Sequence, residues 1–150
     1  RPRYAVGGQD LGYLPGSEFE KMSPWAAAVL DGLEAITGPE VIDEVIHREL
    51  LEVLPLTHIR GRSLTDTFVI IDEAQNLTPK QIKTLVTRAG PGTKIICLGN
   101  IAQIDTPYLT EGSSGLTYVV DRFKGWSHSG HVTLARGERS RLADHASEVL

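Results

Sequence analysis

The run Phe68-Val69-Ile70-Ile71-Asp72-Glu73 restricts this chain more than any other stretch. A continuous apolar, largely β-branched segment suits a strand covered on both faces; a strand with one wet face would alternate. Two adjacent carboxylates follow without a spacer. Ligand sites of open parallel sheets lie at the carboxyl ends of their strands. Carrying two charges to the rim of a buried sheet is unfavourable unless a cation or polar ligand compensates. The pattern therefore predicts a buried parallel strand that ends in a site.

The surrounding pattern alternates strands with amphipathic helices. Residues 1–15 read as a strand end followed by a loop rich in Gly and Pro. Ser23-Pro24 opens a helix that stops at Gly38-Pro39, and residues 41–50 form a second one with Val41, Val45 and either Ile42 or Ile46 on its apolar side. Residues 53–59 suit a short strand, and Arg60-Gly61-Arg62-Ser63 a polar loop. Thr78, Pro79 and Gln81 have the spacing of a capping box with proline at the first helical position. The helix they open turns Ile82, Leu85, Val86 and Ala89 inward and ends at Gly90. Residues 94–98 predict a second buried strand. Ser113 or Ser114 caps a helix carrying Leu116, Val119, Val120 and Phe123. Residues 131–135 suit a further strand, and Ser140 opens a last helix with Leu142, Ala146 and Val149 inward. This order predicts an α/β domain with a mainly parallel sheet.

Composition narrows the class. A net charge of −4 over 150 residues argues against a strongly basic nucleic-acid module, while leaving room for a local basic groove. The single cysteine, Cys97, excludes a disulfide framework and a Cys-based zinc site, and lies in an apolar run as a small core residue would. A reducing cytoplasm is the expected compartment. No apolar stretch approaches the roughly 18 residues of a membrane span. The chain starts at Arg1-Pro2-Arg3 without methionine and reads as part of something longer.

The acidic pair predicts a chemistry. Side chains alternate along a strand, so Asp72 and Glu73 are expected to point in different directions and divide two tasks. Asp72 suits a Mg²⁺ ion held partly through water. Glu73 suits a base that orients and deprotonates a water attacking a γ-phosphate. Gln75 then sits where an amide contacts a phosphate or passes its state to the next element. The second strand ends in Gly99-Asn100-Ile101-Ala102-Gln103, beside the acidic pair if the strands are neighbours, and Gln103 is then within reach of the γ-phosphate or the water.

Together these residues resemble the PhoH family, P-loop ATPases related to superfamily 1 helicases. The resemblance runs through Arg1-Pro2, Leu11-Gly12-Tyr13-Leu14-Pro15-Gly16 with Glu20-Lys21, Arg60-Gly61-Arg62-Ser63-Leu64, Ile71-Asp72-Glu73-Ala74-Gln75-Asn76, Thr87-Arg88 and Gln103-Ile104-Asp105. The later stretches, from Pro107-Tyr108-Leu109 to Gly137-Glu138-Arg139-Ser140, are similar to a subgroup in which a PIN ribonuclease domain precedes the ATPase. The resemblance implies a three-layer, RecA-like P-loop NTPase fold, with residues 1–150 as a partial ATPase domain lacking its N-terminal phosphate-loop part. It implies ATP and Mg²⁺ as cofactors, RNA unwinding or remodelling in the parent protein, and a ring-shaped oligomer, a hexamer. Two departures stand out. No Gly-x-x-x-x-Gly-Lys-Ser/Thr loop occurs, so this chain alone is expected to bind nucleotide very weakly. Asn100 stands where the family usually has aspartate, and an amide neither accepts a proton nor balances a cation.

Phosphoryl transfer also uses positive charge on the γ-phosphate, often an arginine from another subunit. Arg139 is the first candidate, Arg60 and Arg62 the next, then Arg136 and Arg88. Exposed basic and aromatic residues suited to RNA are Arg60, Arg62, Tyr108, Lys124 and Trp126. Two other readings compete: a non-catalytic module that binds RNA or subunits on the same fold, and a phosphotransferase such as a nucleotide kinase. The last needs an acceptor pocket, and the acidic pair suits water better than a substrate hydroxyl.

Overall fold

The computed structural model describes residues 3–4 and 27–150. The motifs at residues 11–16, 20–21 and 23–24 lie outside them. Four strands, β1 (Arg3–Tyr4), β2 (Glu52–Val53), β3 (Phe68–Ile71) and β4 (Lys94–Cys97), form one parallel sheet in the spatial order β2-β1-β3-β4. The helices are α1 (residues 27–34), α2 (Pro39–His47), α3 (Pro79–Val86), α4 (Gly115–Phe123) and α5 (Arg141–Val149). Mixed helix and strand with a parallel sheet is the class expected from the alternating pattern.

Strand β3 has the bounds its apolar run predicts, and it pairs with β4 from Phe68 opposite Lys94 to Ile71 opposite Cys97. Val69 and Ile71 on one face are 4% and 0% exposed. They join Leu54, Ile59, Leu64, Ala74, Leu77, Ile82 and Leu85 in the core, with Leu116 and Val119 of α4 packed against it. The other face is less covered by the described residues: Phe68 is 42% exposed. Burial on both faces is therefore met on one.

Helix α3 starts where its local chemistry dictates. Thr78 Oγ1 accepts the Gln81 backbone N–H at 3.2 Å, and Gln81 Oε1 accepts the Thr78 N–H at 2.9 Å. Pro79 takes the first position, where its missing N–H costs nothing. Ile82 and Leu85 turn inward as expected, but Ala89 is exposed. The helix ends at Val86, and the chain is then drawn into a parallel bridge between Leu64 and Ala89.

Several expectations need correction. Residues 53–59 are not one strand: β2 stops at Val53, and Pro55, which has no N–H for a ladder, leads into a 3₁₀ turn over Leu56–His58. In α2 the better-covered residues are Ile42 and Val45, while Val41 and Ile46 are exposed. Residues 131–135 form no strand, because no strand among the described residues pairs with them; Val132 and Leu134 are 80% and 86% exposed. Ser140 caps α5 through the Ala143 N–H at 3.2 Å, yet Leu142 and Val149 are exposed, since none of the described elements packs over that face.

Candidate functional site

The site begins where β3 runs out. Asp72 and Glu73 occupy a turn immediately beyond the strand. Glu73 takes a left-handed conformation, φ 51° and ψ 37°, and leads into a 3₁₀ turn over Ala74–Asn76. For a residue with a Cβ that conformation costs about 1–2 kcal/mol. Strained residues of this kind concentrate at functional sites, where the surroundings fix them. The two carboxylates are thus separated by a backbone turn, not by the pleat of a strand. Asp72 Oδ1 accepts the Glu73 N–H at 2.9 Å, while Glu73 Oε2 accepts from Gln75 Nε2.

Beside this turn lies the loop that leaves β4. The Leu98 N–H donates to the Ile71 carbonyl and the Ala74 N–H to the Leu98 carbonyl, both at 2.8 Å. Gln75 is fully buried, and its side chain bridges the two segments. Nε2 donates to Glu73 Oε2 and to the Gln103 carbonyl at 3.1 Å, and Oε1 accepts the Asn100 N–H at 3.2 Å. Both amide hydrogens are therefore engaged within the protein. Through these bonds Gln75 links the acidic turn to the loop after β4.

Asn76 continues the junction. Its Oδ1 accepts the N–H groups of Asp105 and Thr106 at 2.9 and 3.3 Å, and its carbonyl accepts from Thr106 Oγ1 at 2.8 Å. Buried Ser114 donates its Oγ to the Gln75 carbonyl at 2.8 Å, and the same oxygen caps α4 at the Leu116 N–H. The Gly115 N–H reaches the Leu77 carbonyl at 2.6 Å. Residues 99–115 are thus wired to residues 74–77 along their length. Asn76, Thr106 and Ser114 were not singled out for this role by the sequence, because it depends on pairings some 30 residues apart or more. The cap signal at Ser114 was visible; its second bond was not.

Gln103 is exposed and close to the acidic turn through its carbonyl. Asn100 Oδ1 accepts the Ala102 N–H at 3.0 Å, a capping bond an aspartate would make equally well. The departure at this position therefore leaves the loop's local shape intact.

None of the candidate arginines bonds to Asp72 or Glu73 among the described residues. Arg62 forms an ion pair with Glu52 of β2 at 2.9 Å, and it lies two residues before Leu64, which bridges Ala89 near the start of β3. Within this chain its ion-pair partner is Glu52, near the start of the sheet's strands. Arg60 is exposed in the same loop. Arg88 lies just past the C-terminus of α3, its carbonyl accepting the Leu64 N–H at 2.8 Å and its Nε buried without a partner. Arg136 and Arg139 are exposed, make no ion pair among the described residues, and contact neither Asp72, Glu73 nor Gln103. Of the basic and aromatic set, Tyr108 is fully exposed, Lys124 pairs with Asp121 at 3.1 Å, and Trp126 packs edge-on against Phe123 and His128. Helix α4 begins beside Leu77 and is about 13 Å long, with Lys124 and Trp126 just past its end.

Asp72 is half-buried at the strand end, with Oδ2 unengaged by the described residues. No group of three or more His, Cys, Asp or Glu suited to a metal occurs among those residues. Mg²⁺, which keeps several waters and uses one or two carboxylates with substrate phosphates, matches what Asp72 offers.

Comparison with known proteins agrees in extent with this architecture. The family model described as PhoH-like protein matches residues 1–149. A "Protein PhoH2" of Mycolicibacterium smegmatis is 54% identical over the whole of this chain, which covers 34% of that relative. The "Protein PhoH2" of Bacillus subtilis is 49% identical, again over the whole chain and 35% of its own length. A "PhoH-like protein" of the same organism is 41% identical over 79% of the chain. The chain therefore spans about a third of the length of the curated relatives it matches. It belongs to the PhoH-like protein family.

Proposed function

We propose that this chain supplies the metal- and water-handling half of an ATPase site, and that the parent protein completes the site with a phosphate-binding loop. Membership of the PhoH-like family suggests a nucleotide-binding domain, and a three-layer, RecA-like P-loop NTPase fold is the architecture we assign to the whole. The observation that carries the reading is the acidic turn: two carboxylates at the carboxyl end of a buried parallel strand, one at a left-handed residue, with the neighbouring strand's exit loop bonded alongside.

Asp72 is the residue to hold Mg²⁺. When bound, the ion neutralises charge on the β- and γ-phosphate oxygens. Glu73, exposed and aimed by the turn, accepts a proton from the attacking water, and Gln103 orients that water or the γ-phosphate from the adjacent loop. Arg139 or Arg136 acts across a subunit interface, as Arg60 or Arg62 would, since no bond among the described residues ties them to the chain's own acidic pair. The parent protein, with ATP and Mg²⁺ bound, works on RNA as a helicase-like motor in a cytoplasmic ring, a hexamer with a PIN domain in the same chain. Tyr108, Lys124 and Trp126 are the exposed groups we assign to RNA.

The test is steady-state ATP hydrolysis by the longer parent chain and its Glu73→Gln variant. Removing a general base costs about 10²–10⁴-fold in turnover. A variant as fast as the parent would remove Glu73 from the mechanism.

A further inference from the structure

We infer that Gln75 is a positioning residue: it fixes the Glu73 carboxylate and the loop of residues 99–106 as one unit, so that the base and Gln103 are set together. The inference rests on the reading of Glu73 as the base. A fully buried glutamine is uncommon unless its amide is satisfied. Here one side-chain bond stays within the acidic turn and the other two cross to the loop. One hydrogen goes to Glu73 Oε2, the other to the carbonyl of Gln103, and the oxygen takes the N–H of Asn100.

The backbone is shaped around this side chain. A Cβ on Gly99 would collide with Gln75 Oε1 and would stand 3.1 Å from the Gln75 nitrogen. The carbonyl of Gln75 is held by buried Ser114 at the start of α4. Asn76 fixes the far end of the same loop through Asp105 and Thr106. A shift of the Glu73 carboxylate therefore disturbs the amide that holds the loop at Asn100 and Gln103. All three partners belong to the chain itself, so the protein's own bonds hold the unit together. Preorganisation of this kind raises the rate without adding to substrate affinity.

The experiment uses the parent protein with Gln75→Met, which keeps length and apolar volume but removes the amide, and Gln75→Glu, which keeps an acceptor for Asn100 and removes both donors. The expected result is a fall in kcat of about 10²-fold, the cost of a misplaced reacting group, with the KM for ATP changed less than twofold. Each change is also made in a Glu73→Gln background. If Gln75 acts chiefly through Glu73, its further effect on turnover there is far smaller than in the wild-type background; a role in general stability would lower turnover equally in both backgrounds. Should Gln75→Met be too unstable to assay, Gln75→Glu carries the comparison. Wild-type kcat in both variants, or losses that add to that of Glu73→Gln, overturns the inference. If Glu73→Gln itself hydrolyses ATP at the wild-type rate, the base assignment fails first and the Gln75 role with it. If Glu73→Gln is inactive while the Gln75 variants are normal, the positioning role alone is lost.

Discussion

At Gly99 the backbone passes close enough to Gln75 that no larger residue fits without displacement. Gly99→Ala is expected to cost about 1–3 kcal/mol, as overpacking of a tight contact does. Gly130→Ala, where an added Cβ meets nothing within 4 Å, should stay within about 0.5 kcal/mol. Urea denaturation of the two variants checks the difference. Cys97 offers a second test at this scale. Burial in β4 raises its thiol from 9.0 to about 11. The folded state thus holds its proton where the unfolded chain has lost it. Stability is unaffected by this group below pH 9 and declines as pH climbs from there toward 11. Denaturation midpoints of wild type and Cys97→Ser across that range should converge only if the thiol is responsible. Neither position announces itself in the sequence as Asp72 and Glu73 do. An acidic pair after an apolar run is a local oddity, whereas a glycine against a glutamine 24 residues earlier is a matter of register.

Among the elements, those set by local chemistry were legible. The Thr78-Pro79-Lys80-Gln81 start of α3 is fixed within one turn, and its reciprocal bonds are both present. Thr78→Ala should destabilise the domain by about 1 kcal/mol, and Thr78→Ser should restore most of that, measured by thermal unfolding. Strand β3 was legible for the same reason: four strand-forming residues leave no competing period. The misread elements are those whose state depends on a distant partner. Residues 131–135 have strand-like composition, but composition does not provide the neighbour that makes a ladder. Helix α5 has the period of an amphipathic helix, with Leu142 and Val149 on a face that the described residues do not cover. Periodicity records which face can be buried, and the contact itself must come from elsewhere. Pro55 was the overlooked local signal that shortened β2.

For the whole molecule, the parallel order β2-β1-β3-β4 puts the exits of β3 and β4 side by side. That single adjacency joins two motifs 30 residues apart, at Glu73 and Gln103, into one candidate site. The alternation of strands and helices made the fold class readable, while the junction built by Gln75, Asn76 and Ser114 appears only when the chain is folded. Since this chain covers about a third of its curated relatives, the site is tested best in the longer protein. Binding and hydrolysis of Mg²⁺-ATP should be measured on the same Glu73→Gln sample, by equilibrium titration and by single-turnover release of phosphate. The account predicts wild-type affinity with hydrolysis slowed about 10²-fold or more. Unchanged hydrolysis at unchanged affinity would contradict it.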